Sequence, residues 1–176
     1  MLNVISTFSI QSSGFPMFAH TIKVRFRDLD ALNHVNNVVY LTYLEETRIA
    51  MMDALGISEM MTRERGWILA RSEIDYRFPA IHKDILIVEI WPGEVRNSSF
   101  DLHYRIRREP DGKLIAEAKS VQVCYDYVHN RSAHIPAEWR KRLSAEYPRQ
   151  DLSGLQDIQK STSWIRSMAA ANVDNE

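Results

Sequence analysis

The chain has 176 residues, 45% of them hydrophobic, and a formal net charge of −1 at pH 7. This length and composition suit one globular domain with a substantial core, together with terminal segments outside it. The near-neutral charge gives no general attraction to polyanions, which excludes nucleic acid as an expected partner.

The cysteine content and the amino terminus bear on where the chain works. A single cysteine, Cys124, excludes an internal disulfide framework and favours a reducing compartment. Residues 1–17 contain no basic segment followed by a long apolar run, so we expect no signal peptide. Because no stretch approaches the length of a membrane span, we predict a cytoplasmic protein with no membrane partner.

The first predicted elements are a strand and a long helix joined by a polar loop. We expect residues 1–17 to be an irregular lead-in, and the alternation of apolar and polar residues over 20–26 predicts a strand. Apolar residues then recur at helical spacing, without Gly or Pro until Gly56. Loop asparagines suit helix capping and Gly56 suits helix termination, so a helix is predicted over 36–55.

The sequence after the helix predicts a β-sheet. The turn signal Pro110-Asp111-Gly112-Lys113 predicts a hairpin, and a short helix is predicted over 136–145. Residues 146–176 are rich in Ser, Gln and Asp and are expected to form a polar tail with at most one short helix. Because no helices separate the later strands, we predict an antiparallel α+β domain over 18–145. Those strands are predicted over 67–78, 85–91, 100–107 and 114–125.

The connection between the first strand and the helix contains the most informative residues. Backbone N–H groups in a helix's first turn lack intrahelical partners and can bind an oxygen on which negative charge develops. Asp30 lies a few residues ahead of that turn. Its carboxylate could attack a carbonyl held there or activate water to do so, which indicates acyl transfer to water.

The same connection resembles the signature of a known family. The segments Phe26-Arg27-Asp28-Leu29-Asp30 and His34-Val35-Asn36-Asn37, followed by Tyr40, resemble hotdog-fold acyl-CoA thioesterases of the hydroxybenzoyl-CoA thioesterase-like family. The resemblance extends over residues 18–143. It implies an antiparallel sheet wrapped around one long central helix.

The resemblance also implies roles for particular residues. Asp30 matches the family's reactive carboxylate, and Asn37 matches the position whose backbone N–H holds the thioester carbonyl. His34 and Asn36 match a variant of the loop that shapes the thioester site, and Tyr40 completes the motif, so these three are expected substrate contacts. Asp28 matches an acidic position whose role varies within the family.

Coenzyme A has phosphates that need cationic partners. The family often places basic residues near the start of the strand containing Phe100, where this chain has Arg96. Asn97 follows, where other members can have more positive charge. Arg71 and Lys83 are further candidate contacts with the coenzyme.

Structural explanations of the motif remain open beside the functional one. Asp30 could simply stabilise the helix dipole, and His34 could pack or cap the loop. Asp28, Asp30 and His34 are also ligand types that bind metals, but no second His or Cys cluster at ligand spacing completes a site. We therefore expect neither a metal nor a cofactor.

The resemblance implies hydrolysis of a small or fatty acyl-CoA to the free acid and CoA. Two alternatives stay open: hydrolysis of thioesters on acyl carrier protein, and acyl-CoA binding without catalysis. A hotdog dehydratase is less consistent with the sequence, because its His and acid arrangement is not found. Since a single sheet would leave an unpaired edge and half a cleft, we expect a homodimer or homotetramer with the site at the protomer interface.

Overall fold

One long helix and an antiparallel sheet dominate the computed structural model, which describes residues 6–10, 16–109 and 111–145. The sheet order is β1-β2-β4-β5-β6-β3, with the short β7 paired to β6, and every pairing is antiparallel. The α+β class is confirmed. The elements are β1 (Ser6–Ile10), β2 (Pro16–Lys23), α1 (Asn37–Ala54), β3 (Arg65–Tyr76), β4 (Ile85–Val95), β5 (Ser99–Glu109), β6 (Leu114–Asp126), β7 (Arg131–Ser132) and α2 (Ala137–Ala145).

Helix α1 begins and ends where its capping residues predict. The Asn36 side chain accepts the Val38 N–H at 3.0 Å, which satisfies one of the free donors of the first turn. Leu55 is the C-terminal cap, and Gly56 follows with φ +63°, the left-handed conformation that glycine adopts without steric cost. The helix buries one side against the sheet through Tyr40, Tyr43, Leu44, Thr47, Met51 and Met52.

Strands β4 and β5 form the centre of the sheet that packs on α1. Although Glu89 and Asp101 are buried as well, every second residue is buried from Leu86 to Ile90 and from Phe100 to Ile106, as the period of a strand with one face on the core requires. These residues belong to the same hydrophobic core as the buried side of α1. The buried core residues of the two strands are Leu86, Val88, Ile90, Trp91, Phe100, Leu102, Tyr104 and Ile106.

The first predicted strand ends earlier than its alternation indicated. Strand β2 stops at Lys23, and Phe26 begins a 3₁₀ turn that ends at Asp28. The Asp28 carboxylate accepts the Arg25 N–H at 2.8 Å, which closes this turn and bends the chain away from the sheet. Phe26 is therefore exposed rather than part of a strand.

Three further elements can be compared with their predictions: the first strand, the hairpin and the second helix. Strand β1 lies within the stretch 1–17 that was expected to be irregular, and it is held by antiparallel pairing with β2. The hairpin is confirmed by the pairing of β5 with β6, with Gly112 in the left-handed conformation. Helix α2 matches the short helix predicted over 136–145. The predicted tail, 146–176, lies outside the described residues.

Helix α2 closes the end of the core opposite the start of α1. Its Arg142 guanidinium donates to the Leu55 carbonyl at 2.6 Å, and its Arg140 donates to the Arg96 carbonyl at 2.6 Å. These two bonds tie α2 to the end of α1 and to the β4–β5 connection. Among the described residues, neither helix is long and apolar enough to span a membrane.

Candidate active site

A small cavity of about 230 Å³ lies at the N-terminal end of α1. It brings together four residues that the sequence predicted to act at one site: Asp30, His34, Asn37 and Tyr40. The loop after β2, the first turn of α1 and the end of β3 all contribute to its wall. The other lining residues are Val35, Tyr76, Phe78 and Pro79.

The Asp30 carboxylate is fixed by its own loop. Its Oδ1 atom accepts the Leu32 N–H at 2.8 Å and the His34 N–H at 3.1 Å. The left-handed Asn33, with φ +63°, makes this tight loop possible and donates its N–H to the Asp30 carbonyl at 3.1 Å. Oδ2 has no hydrogen-bond partner in the described part of the chain, so one oxygen is positioned and the other is available.

The backbone N–H of Asn37 is the first of α1. Among the described residues it has no hydrogen-bond acceptor, whereas the next two N–H groups, of Val38 and Val39, are bound by the Asn36 side chain and carbonyl. An unpartnered N–H at the positive end of a helix dipole is suited to bind an oxygen with partial negative charge. Asn36 acts here as the cap of the helix, while Asn37 lines the cavity.

Tyr76, at the end of β3, holds the first turn of α1 from the other side of the cavity. Its hydroxyl donates to the Asn37 carbonyl at 2.9 Å, and its ring contacts that of Tyr40 edge to face at 5.3 Å between centroids. No sequence pattern predicts Tyr76 or Pro79 as a site residue. The contact joins residues 39 positions apart, and no local pattern indicates which end of a strand meets a helix.

Tyr40 forms the buried side of the cavity. Burial raises the pKa of its hydroxyl to about 12, despite the hydrogen bond that the Ala80 N–H donates to the oxygen at 3.3 Å. The hydroxyl therefore stays protonated over the physiological range. Since Tyr40, Phe78 and Pro79 are mostly apolar, the cavity offers a binding surface to an apolar group.

Asp28 does not line the cavity, and its contacts are structural. The carboxylate is buried and accepts hydrogen bonds from the Arg25 N–H at 2.8 Å, the Tyr43 hydroxyl at 2.8 Å and the Arg25 Nε at 3.1 Å. Burial alone would raise the pKa of the Asp28 carboxyl, but these hydrogen bonds together hold it below its usual value. Asp28 therefore connects the 3₁₀ turn after β2 to Tyr43 of α1 by hydrogen bonds.

The three cations expected near the coenzyme do not line the cavity of the protomer. Arg71 is exposed on β3 and pairs with Glu73 at 2.7 Å. Lys83 is exposed in the loop before β4. Arg96 makes a bidentate pair with the buried Asp101, at 2.7 and 2.9 Å, so its guanidinium is already bound by a carboxylate.

Another groove lies outside this cavity. A wider, more polar groove of about 590 Å³ lies beside α2, bounded by Thr62, Glu64, Asp126 and His129. The Asp126 carboxylate in this groove lies 2.9 Å from Nδ1 of His129, within hydrogen-bond distance. No group of three or more potential metal ligands comes together in the described ranges.

An antiparallel sheet packed on one long helix defines the class of hotdog-fold proteins. Within that class the chain belongs to the Thioesterase-like superfamily, whose family model matches residues 24–143. The expected hotdog fold and the expected class of thioester hydrolases are therefore confirmed.

Two relatives and one solved structure illustrate the similarity. The long-chain acyl-CoA thioesterase FadM of Escherichia coli K12 is 32% identical over 123 residues, covering 69% of this chain and 93% of FadM. The chloroplastic acyl-acyl carrier protein thioesterase ATL3 of Arabidopsis thaliana is 29% identical over 132 residues, 74% of this chain and 68% of ATL3. The crystal structure of YbaW, a probable thioesterase from Escherichia coli, has a TM-score of 0.64 and 30% identity, covering 73% of this chain and 98% of that chain.

Proposed function

We propose that this protein hydrolyses the thioester of a small or fatty acyl-CoA, releasing the free acid and CoA. The supporting observation is that Asp30, which has a free carboxylate oxygen, and Asn37, which has an unpartnered N–H, line the same cavity. The similarity to FadM, which is named a long-chain acyl-CoA thioesterase, favours CoA as the thiol of the substrate.

In the proposed mechanism the thioester carbonyl oxygen binds the Asn37 N–H. The helix dipole adds to this hydrogen bond and stabilises the negative charge that develops on the oxygen in the transition state. Stabilisation is stronger in the transition state than in the bound substrate, because the oxygen's charge increases as the carbonyl carbon is attacked.

Asp30 acts on the carbonyl carbon in one of two ways, either as a nucleophile or as a general base. As a nucleophile, it forms a mixed anhydride while the carbon–sulfur bond breaks, and water then hydrolyses the anhydride. As a general base, it removes a proton from a water molecule that attacks the same carbon. Both routes end in the carboxylic acid and CoA, with one water consumed.

Neighbouring residues hold the start of α1, and with it the Asn37 N–H, in place. Asn36 binds the N–H of the peptide that follows Asn37, and Tyr76 binds the carbonyl of the same peptide, so the first turn of α1 is held at both sides. A preorganised donor needs no rearrangement during the reaction. His34 and Tyr40 complete the proposed substrate contacts at the loop and at the buried wall.

We also propose that the active enzyme is a homodimer, or a tetramer built from such dimers. Strand β3 lies at one end of the sheet order, and its middle, from Leu69 to Glu73, is exposed. The free side of α1 exposes Val38, Leu41 and Ile49 as well. Pairing of two β3 edges would satisfy the unpaired backbone groups and cover apolar surface next to the cavity.

A second candidate function is hydrolysis of acyl groups on acyl carrier protein. It is favoured by the similarity to ATL3, which is named an acyl-acyl carrier protein thioesterase. The chemistry at Asp30 would be the same, and only recognition outside the cavity would differ.

Thiol release from a panel of acyl groups tests both candidates. Short, branched, aromatic and long acyl chains are offered on CoA and on acyl carrier protein, and free thiol is measured over time. The proposal predicts a higher kcat/KM on CoA for at least one chain class. A preference for the carrier protein would support the second candidate, and CoA binding without hydrolysis of any substrate would contradict both.

A further inference from the structure

A segment rich in cations lies next to the loop that forms the cavity. The N–H of Val24 donates to the Asp84 carbonyl at 2.9 Å, and the N–H of Lys83 donates to the Val24 carbonyl at 3.2 Å. The end of β2 therefore runs beside the loop before β4. That loop also reaches the cavity, because Ile81 pairs with the cavity residue His34.

Four exposed side chains on these two segments form what we call the basic patch: Lys23, Phe26, Arg27 and Lys83. Phe26 is 76% exposed, and its ring contacts that of His82 edge to face at 5.9 Å between centroids. The three cations make no ion pair within the described part of the chain. The exposed ring of Phe26 thus lies next to Arg27 in the chain and contacts His82, the neighbour of Lys83.

Nearby acids do not cancel the charge of the basic patch. Asp28 is buried and bound by Arg25, whose guanidinium also lies 3.8 Å from Glu46. Asp84 accepts the N–H of Ile81 at 3.0 Å and lies 3.7 Å from the Arg108 guanidinium. The basic patch therefore stays positive on a chain whose net charge is −1.

Lys83 has a backbone conformation that does not favour lysine. Its φ is +72°, in the left-handed region where a side chain clashes with the backbone and glycine does not. A lysine at such a position costs stability that glycine would recover. The backbone conformation therefore gives no stability reason for a lysine at this position.

We infer that the basic patch binds the 3′-phosphoadenosine diphosphate half of an acyl-CoA, with the phosphates on Arg27, Lys83 and Lys23 and the adenine against Phe26. The inference rests on the proposed function and specifies where the substrate's nucleotide lies. Arg96, expected from the family resemblance to bind phosphate, is clamped by Asp101. The basic patch supplies free cations and a stacking surface instead, the two features that a phosphorylated nucleotide requires.

Removal of single contacts tests this inference by direct binding. The affinity of the full-length protein for CoA is measured by titration calorimetry in Arg27→Ala, Lys83→Gly and Phe26→Ala. Each variant is expected to raise the Kd for CoA by about 5- to 20-fold, as the loss of one charge-assisted or stacking contact should. Arg63→Ala is the matched control, because Arg63 is an exposed arginine outside the basic patch, and it should leave the Kd unchanged.

Kinetics with two substrates distinguish contacts to the nucleotide from contacts to the acyl group. For acyl-CoA, the variants are expected to raise KM with little change in kcat, whereas acyl-pantetheine, which lacks the nucleotide, should show no change in either constant. Lys83→Gly should also unfold at a higher temperature than the wild type, which excludes damage to the fold as the cause of weaker binding.

Several results would overturn the inference. These are unchanged CoA affinity in the three variants, an equal loss in Arg63→Ala, an equal rise in KM for acyl-pantetheine, or a rise in KM confined to acyl carrier protein substrates. The last result would assign the basic patch to an acidic protein. The proposed function fails separately, through absence of hydrolysis, while the calorimetric test still applies.

Discussion

Asp28 and Asp30 are two positions apart in the sequence but have different environments. Asp28 is buried and its Oδ2 atom receives every hydrogen bond that reaches its carboxylate in the described chain, including that of Tyr43 from α1. Asp30 is exposed to the cavity, with one oxygen bound by loop N–H groups and one free. The first carboxylate is held inside the fold, and the second has the free oxygen that the proposed reaction requires.

Replacement of Asp28 should make stability depend on pH in a defined direction. The pKa of Asp28 is lower in the folded chain than its usual 3.8, so its carboxylate stabilises the fold above that pH, and this stabilisation is lost as the pH falls through the folded-state value. Asp28→Asn should lower the free energy of unfolding by about 1–3 kcal/mol at pH 7. In urea titrations the difference from wild type should shrink at pH 3, and a constant difference would contradict this role.

Replacement of Tyr76 should affect catalysis through Asn37. Tyr76→Phe removes the hydroxyl that binds the Asn37 carbonyl, so the Asn37 N–H becomes less well oriented, and kcat should fall by about 3- to 30-fold with a smaller change in KM. Tyr127→Phe is the matched control, because it removes a similar bond, to the Trp67 carbonyl at 3.2 Å, away from the cavity. Equal kinetics for the two variants would show that Tyr76 has no positioning role.

The elements differ in how far local sequence determines them. Helix α1 was predicted closely because its cap, Asn36, and its terminator, Gly56, are local signals. The end of β2 was predicted wrongly because the 3₁₀ turn depends on the Asp28 carboxylate binding backwards to Arg25, which alternation does not reveal. Within the site, the loop residues followed from the motif, whereas Tyr76 depends on tertiary contact alone.

The end of α1 offers a paired test of packing at its C-terminal turn. Gly56 and Gly112 have nearly the same φ, +63° and +65°, but a methyl group on Gly56 would meet the Arg142 guanidinium, whereas Gly112 has open space around it. Gly112→Ala should cost about 1–2 kcal/mol from backbone strain alone.

Gly56→Ala should cost more than that. The Arg142 guanidinium would have to move and lose its hydrogen bond to the Leu55 carbonyl, which adds about 1–3 kcal/mol. Thermal unfolding of both variants gives the comparison. Equal losses would show that the bond between α2 and the end of α1 contributes no stability.

For the whole molecule, the sheet is left open at β3. Its exposed middle and the apolar residues on the free side of α1 lie on a surface that a monomer would leave in water. A second copy pairing at this edge would bury both and extend the sheet across two chains. The cavity is bounded by Tyr76 of the same strand, so pairing there would also bring the partner close to the site.

A charge placed on this edge should separate the protomers. Leu69, 52% exposed in one chain, is covered in the proposed dimer, so Leu69→Glu should shift the protein towards monomer in analytical ultracentrifugation and lower activity by about tenfold or more. Val128→Glu places the same charge on another exposed apolar residue, outside β3, and should change neither. An active wild-type monomer would contradict the proposal.

The turnover of Asp30→Asn shows directly whether this carboxylate takes part in thioester hydrolysis. The amide keeps an oxygen that can accept the Leu32 and His34 N–H groups, so the loop should stay folded, but it can neither attack a carbonyl nor take a proton from water. Thiol release from acyl-CoA should fall by about a hundredfold or more, while Asp53→Asn, at the exposed far end of α1, should retain wild-type turnover. Unchanged turnover in folded Asp30→Asn would exclude this carboxylate from the reaction.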